Sequence, residues 1–263
     1  MRVRQLKFSR LTHFFISHLH GDHCLGLPGL ISTLALSGKE GGEIVIHTFP
    51  DGIAILKEIL GFFCRSTPFD IRFSEVSDDG EHLIYETDSI KVSSFPLFHR
   101  VPCVGYKFEE KEKPRHIIGD MIRFHQVPVK DIHAIKCGAD FVTPEGKIIP
   151  NNYLTTDPTP SLSYAYCSDT QYNPRVAKSV EGIHTIYHEA TYTEESRDKA
   201  HQRAHSTARE AAMIAREAGA RQLVLGHFSK QYKSEEGHLE EAKKVFENTI
   251  LAKEGLVLDL GRN

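Results

Sequence analysis

The stretch Ser17-His18-Leu19-His20-Gly21-Asp22-His23 decides how this chain is read. It gathers three imidazoles and a carboxylate, the ligand types that suit zinc and other first-row metals. The run before it, Leu11 to Ser17, contains His13-Phe14-Phe15-Ile16 and predicts a short buried strand ending near His18. In extended chain His18 and His20 lie two apart, so their side chains leave on the same side and can share an ion. Gly21 allows a turn. Asp22 and His23 then open a segment through Leu25, Leu27, Leu30, Ile31 and Leu34, apolar and long enough for a buried helix despite Pro28 and Gly29. One ligand pair faces one place and the second pair a neighbouring place, which predicts two metal positions. A histidine-rich surface loop would explain neither the strand before nor the helix after.

Four residues cannot close two metal positions, so the remaining ligands must come from distant parts of the chain, ideally from other strand ends. Three candidates follow strand-like runs. His99 follows Ile90-Lys91-Val92-Ser93-Ser94-Phe95-Pro96-Leu97-Phe98, Asp169 follows Ser163-Tyr164-Ala165-Tyr166-Cys167-Ser168, and His227 follows Arg221-Gln222-Leu223-Val224-Leu225-Gly226. A polar residue just past an apolar run is more often a cap or a structural residue; beside the opening cluster, the ligand reading gains.

The His-x-His-x-Asp-His cluster followed by His, Asp and His resembles the metallo-β-lactamase superfamily. Within it, Phe98-His99-Arg100-Val101-Pro102-Cys103-Val104-Gly105-Tyr106, Ser168-Asp169-Thr170, His188-Glu189-Ala190-Thr191, His205-Ser206-Thr207 and Leu225-Gly226-His227 resemble ribonuclease Z, the tRNA 3′-processing endoribonucleases, in order and approximate spacing. The first cluster identifies only the superfamily; His-Glu-Ala-Thr followed by His-Ser-Thr is more specific. The resemblance implies that His18, His20 and His99 hold a first Zn2+, that Asp22, His23 and His227 hold a second, and that Asp169 bridges them. Mn2+ or another divalent metal is the alternative cofactor. It also implies attack on a phosphodiester by metal-activated hydroxide, with Asp22 as proton acceptor and His205 as the acid at the leaving oxygen, oriented and kept charged by Glu189. From the residues themselves, Thr207 and Glu210 read as a capping box for a helix with Ala208, Ala211, Ala212, Ala215 and Ala218 on one face.

The implied fold is α/β, a four-layer αββα sandwich with metals where strand-end loops converge. Helices are expected near Asp22 to Leu36, Thr207 to Ala218 and Leu239 to Ile250. Family members normally begin with a Gly-rich strand and an Asp-Cys-Gly-Glu-Gly-Thr-Gln-like segment. Here only seventeen residues precede His18, so the first strands are expected to be missing and the first sheet short, with an exposed edge, unless a longer form of the chain exists. The family's tRNA-gripping arm carries a Gly-Pro-rich element, whereas the corresponding stretch reads Val127-Pro128-Val129-Lys130-Asp131-Ile132. The arm is therefore expected to be short or differently built.

At 263 residues the chain reads as a single domain, 1–263, with a possible short arm or insertion around 107–160. No repeat or low-complexity tract divides it. Five cysteines, odd in number and without Cys-x-x-Cys spacing, indicate neither a disulfide framework nor a cysteine zinc site, and a reducing cytoplasm fits. No apolar stretch reads as a signal peptide or membrane span. A net charge of −3 does not advertise nucleic-acid binding, although Arg2, Arg4, Lys7 and Arg10, or Lys107 through Arg123, could supply a local patch. Ordinary solvated charge explains both stretches as well.

The leading functional reading is a zinc-dependent endoribonuclease that removes the 3′ trailer from precursor tRNA. A dinuclear zinc hydrolase of a small phosphodiester or other ester is the second. An inactive RNA-binding or assembly subunit is the third. The resemblance further suggests a homodimer.

Overall fold

The strand expected ahead of the histidine cluster forms as β1 (His13–Phe15), in a computed structural model that describes residues 10–260. Arg2, Arg4 and Lys7 lie outside the described residues. β1 is followed by α1 (Gly21–Cys24) and α2 (Gly26–Leu36), where a single helix from Asp22 to Leu36 was expected. The break falls at Leu25, and proline explains it. Pro28 has no amide hydrogen to return to the Cys24 carbonyl, so the helix restarts at Gly26, which puts Pro28 in a first turn where amides are unpaired anyway.

β2 (Glu43–Thr48), α3 (Pro50–Phe63) and β3 (Asp70–Glu75) complete an all-parallel three-stranded sheet in the order β1-β2-β3. Phe14 pairs with Ile46, and Ile46 with Phe73. Parallel pairing requires crossover connections, and α2 and α3 supply them. Their Leu27, Ile31, Leu34, Leu56 and Leu60 pack with Ile44 and Ile46.

β4 (His82–Glu86) and β5 (Ile90–Pro96) pair antiparallel, and β6 (Val104–Glu110) lies beside β5. Phe49, Val76, Val92, Val104 and Tyr106 form a second apolar cluster joined by Phe15 and Leu19, so β1 also buries side chains against the second sheet.

Two compact units divide the chain, one of Met1–Glu86, Lys91–Phe108 and Ser163–Asn263, the other of Thr87–Ile90 and Glu109–Leu162. The smaller unit contains β7 (His116–Ile117), α4 (Gly119–Phe124), α5 (Ile132–Lys136), β8 (Phe141–Val142), β9 (Ile148–Ile149), α6 (Asn151–Leu154) and β10 (Thr155–Thr156). Its own core is Val127, Ile135, Phe141, Ile149 and Leu154. The Val127–Ile132 stretch runs through a 3-10 turn at Val129–Asp131 straight into α5. Charge in this region is largely paired: Lys113 with Glu110 at 2.6 Å, Arg115 with Asp157 at 2.9 Å, and Arg123 with Asp120.

In the larger unit the chain continues through β11 (Ser163–Cys167), α7 (Pro174–Ser179), β12 (Thr185–Glu189), α8 (Arg197–Gln202), α9 (Ala208–Glu217), β13 (Gln222–Gly226), α10 (Glu236–Lys243) and β14 (Thr249–Leu251). The seven-stranded sheet has the order β14-β13-β12-β11-β6-β5-β4, with β11 to β14 mutually parallel. α9 carries the expected capping box, Thr207 with Glu210, and buries Ala208, Ala211, Ala212, Ile214 and Ala215. α7, α9 and α10 cover one face of this sheet through Val176, Ala211, Ile214 and Ala242 against Ala165, Ile186 and Leu223. The layer order is helices, sheet, sheet, helices: the expected αββα sandwich. The helix expected over Leu239–Ile250 is corrected, because it ends at Lys243 and Thr249 and Ile250 pair with Leu223 and Val224 of β13. β-branched residues with an open strand beside them gain more from the ladder than from another helical turn.

Candidate active site

Strand ends bring the candidate ligands together. His18 and His20 follow β1, and that segment is fastened to β6, where the Val104 amide donates to the Ser17 carbonyl at 2.9 Å and the Tyr106 hydroxyl to the Ile16 carbonyl at 2.8 Å. Asp22 and His23 lie in α1, which turns directly behind His20. His99 lies past β5, Asp169 past β11 and His227 immediately past β13.

Their donor atoms converge in two groups. His20 Nδ1 lies 3.1 Å from His18 Nε2 and 3.2 Å from His99 Nε2. Asp169 divides its carboxylate between the groups. Oδ2 faces His18 Nε2 at 3.7 Å and His99 Nε2 at 3.8 Å, while Oδ1 faces His23 Nε2 at 3.5 Å and His227 Nε2 at 3.2 Å. Asp22 Oδ2 lies 3.5 Å from His23 Nε2. One ligand atom from each of His18, His20, His99 and Asp169 fits within 4.8 Å of the others, and the same holds for Asp22, His23 and His227.

This donor set fits divalent cations. Asp169 Oδ1 is buried and has no hydrogen-bond partner, a costly state for a carboxylate oxygen unless a cation is its counterpart. Burial, reinforced by the neighbouring His23, His20 and His99, pushes the His18 pKa down to about 3, so its imidazole is a neutral base with a lone pair to offer. Burial lowers His23 and His99 as well. Ring orientation is held from behind: His99 Nδ1 reaches the Ala204 carbonyl at 2.8 Å, and His18 Nδ1 the Ser17 hydroxyl at 3.1 Å, itself 3.1 Å from Ser168.

Beside the two groups lies a buried ion pair. Glu189 closes β12 with no exposed surface, and His205 Nδ1 lies 2.7 Å from its Oε1. The same carboxylate accepts hydrogen bonds from the amides of Thr170 at 3.0 Å and Thr191 at 2.9 Å, and from the Thr191 hydroxyl at 2.7 Å. Burial alone would raise the Glu189 pKa, but the bonds from His205, Thr191 and Thr170 outweigh it and hold the carboxyl below its ordinary range. For His205 burial acts downward, and Glu189 overcomes it, leaving the imidazole above its ordinary value. His205 also sits near the candidate ligands, sharing a 4.8 Å grouping with Asp169 and His227. It emerges from Ala204, whose φ is 54°, just ahead of the α9 cap.

No protein-family model matches the chain. Ribonuclease Z of Bacteroides fragilis is 49% identical over 261 residues, spanning 99% of this chain and 85% of that protein. The chain belongs to the ribonuclease Z family. Another family relative, ribonuclease Z of Parabacteroides distasonis, is 48% identical over 260 residues, again 99% of this chain and 85% of the relative. Human tRNase Z, short form, shares the fold at a TM-score of 0.67 and 22% identity, over 97% of this chain and 82% of that one. The metallo-β-lactamase fold protein YhfI of Bacillus subtilis does so at 0.63 and 16%, over 97% and 80%.

In this ribonuclease Z family member all the residues singled out from sequence come to one place, from His18 through His227. Sequence reasoning missed the groups that orient them: Ser17, Ser168, Thr170, Thr191 and the Ala204 carbonyl. Four of these side chains stand next to or inside the quoted motifs, so a small polar residue flanking a ligand was the available signal. The carbonyl carries no signal at all.

Proposed function

We propose that this chain is a zinc-dependent endoribonuclease that removes the 3′ trailer from precursor tRNA. The observation that carries the reading is the divided carboxylate of Asp169, facing histidine groups on either side, with the Glu189–His205 pair alongside. His18, His20 and His99 would hold one Zn2+, Asp22, His23 and His227 a second, and Asp169 both. Two bound cations would supply Lewis acidity, easing deprotonation of water and offsetting phosphate charge.

The remaining work falls to the chain's own groups. The Asp22 carboxylate, with its side chain 75% exposed, takes the proton of the attacking water as the new O–P bond forms. His205 gives its proton to the departing 3′ oxygen of the tRNA as the P–O bond breaks, so the tRNA keeps a 3′-hydroxyl and the trailer a 5′-phosphate. Glu189 orients the His205 ring and favours its charged form. All seven ligands are present, which counts against an inactive subunit.

The smaller unit supports reading residues 109–162 as an insertion, or arm, in a single metallo-β-lactamase-like domain. A second copy of the chain is the partner proposed for the face formed by α2 and α3. There Leu25, Pro28, Gly29, Ile59 and Phe63 line a cleft of about 420 Å3, and Phe62 and Phe63 stand exposed beside it, apolar surface that a second copy would cover. Five free cysteines support a reducing cytoplasm, and among the described residues no helix is long and apolar enough to cross a membrane. The test is a precursor tRNA with a 3′ extension, assayed beside a simple phosphodiester, with zinc counted in the purified protein. Cleavage of the small ester alone would refute the tRNA reading, and zinc-free active protein would refute the cofactor.

A further inference from the structure

One hydroxyl stands between the Glu189–His205 pair and His227. Thr191 Oγ1 lies 2.7 Å from Glu189 Oε2, 2.8 Å from His227 Nδ1 and 3.3 Å from His205 Nδ1. A hydroxyl has one proton and an ionised carboxylate has none, so the Thr191 proton goes to Glu189. Toward His227 the hydroxyl oxygen can then only accept, which puts the ring hydrogen of His227 on Nδ1. The lone pair is left on Nε2, the atom that faces Asp169 Oδ1 at 3.2 Å. His205 does not compete, because its Nδ1 has the closer acceptor in Glu189 Oε1 at 2.7 Å.

We propose that Thr191 is a positioning residue for His227, its hydroxyl fixing the ring's rotation and the tautomer that leaves Nε2 free for a divalent cation, with Glu189 as the anchor. The inference rests on the reading of His227 as a metal ligand. The backbone around His227 gives the hydroxyl something to hold. His227 has a φ of 59°, a left-handed conformation uncommon for any residue but glycine, although histidine is among those that adopt it more readily. The Ser229 amide donates to the Thr191 carbonyl at 3.1 Å, tying the chain after His227 to the same residue. Glu189 thus serves two histidines through its two oxygens, His205 directly and His227 through Thr191. A hydrogen-bond partner behind a ligating imidazole ordinarily governs metal affinity in this way.

Thr191→Val keeps the shape and removes only the hydroxyl, and Glu189 retains its bonds from the Thr170 and Thr191 amides and from His205. Thr191→Ser restores the hydroxyl. Metal-free wild type and both variants are titrated with Zn2+ against a chromophoric chelator, and with Co2+ followed by visible absorption. In the valine variant one of two binding steps should weaken about 10- to 100-fold, with a changed cobalt spectrum, and the serine variant should recover most of that loss. Two wild-type steps that persist unchanged in the valine variant would overturn the inference and leave the His227 reading standing. A serine variant as weak as valine would also overturn it, since the methyl and not the hydroxyl would then matter. A wild type without a second binding step would remove the His227 reading and the inference together. Nitrogen-15 spectra of the wild-type histidines need no variant: His227 should carry its proton on Nδ1, and a proton on Nε2 refutes the proposal.

Discussion

Replacing His205 with alanine separates turnover from metal binding, and the structure sets the size of both effects. Glu189 accepts four hydrogen bonds, from Thr170 N, Thr191 N, Thr191 Oγ1 and His205 Nδ1, and the variant removes only the last. The buried carboxylate is therefore not stranded. Loss of one bond to a charged group costs about 2 kcal/mol, which for a protein of this size lowers the melting temperature by roughly 4 to 8 °C. Neither the His18, His20, His99 and Asp169 group nor the Asp22, His23 and His227 group is altered, so with His205 as the acid metal content should stay at the wild-type level, whereas a ligand role through its grouping with Asp169 and His227 would lower it. Loss of a positioned proton donor should cost turnover about 10²- to 10⁴-fold, or roughly 3 to 5 kcal/mol of barrier. Because the donation is made only in the transition state, kcat and kcat/KM should fall together on a precursor tRNA. The assay pairs single-turnover cleavage with elemental analysis of the same preparation. Metal lost in parallel with activity, or turnover within about threefold of wild type, would refute the role given to His205.

Further tests address parts of the chain away from that pair. His47 is buried with its Nε2 2.9 Å from His13 Nδ1, and burial, then His13 and Arg72, push its pKa down to about 4. The unfolded chain takes up this proton near pH 6.5 and the folded chain does not. This contribution to stability is therefore complete above pH 6.5 and falls by about 2 kcal/mol, after allowance for solvent screening, as the pH drops through 4. Denaturant unfolding of metal-free protein at both pH values should show a shallower loss in His47→Gln, and parallel losses would count against the assignment. A Cβ at Gly105 would fall 2.3 Å from Phe95 Cζ in a buried ring, so Gly105→Ala should destabilise by roughly 1 to 3 kcal/mol; an unchanged melting temperature would contradict that packing. Phe63→Glu should convert a dimer to a monomer in light scattering without disturbing the fold, and a dimer that survives the change places the contact elsewhere.

Much of the candidate site was legible because four of its residues, His18, His99, Asp169 and His227, follow one rule: a polar residue within three positions beyond a run that forms a strand. β1, β5, β11 and β13 all fulfil it, and the α9 cap was readable from Thr207 and Glu210. What escaped depended on partners distant in sequence, or at Leu25 on a single local proline. The Leu239–Ile250 pattern suits a helix until β13 offers Thr249 and Ile250 a ladder. The break at Leu25 follows from one missing amide hydrogen at Pro28, which an apolar periodicity does not register. Thr191 looks like an ordinary threonine after a strand until His227 arrives beside it.

The order in which the proposed ligands leave the ribosome gives the site a timetable. His18 through His23 are made early, and His227, with the β13 strand that carries it, comes roughly two hundred residues later, or about 10 to 40 s at ordinary rates of synthesis. Through that interval the nascent chain carries His18 through His23 without the late residue proposed to complete their set, which arrives as β13 pairs beside β12. If these residues hold metal as proposed, the ions present while the chain is being made would meet the early cluster before the late residue joins it. Protein synthesised slowly in manganese-rich medium and protein refolded in zinc would then be the pair to compare, alike in sequence and fold and differing only in the ions on offer as the set closes.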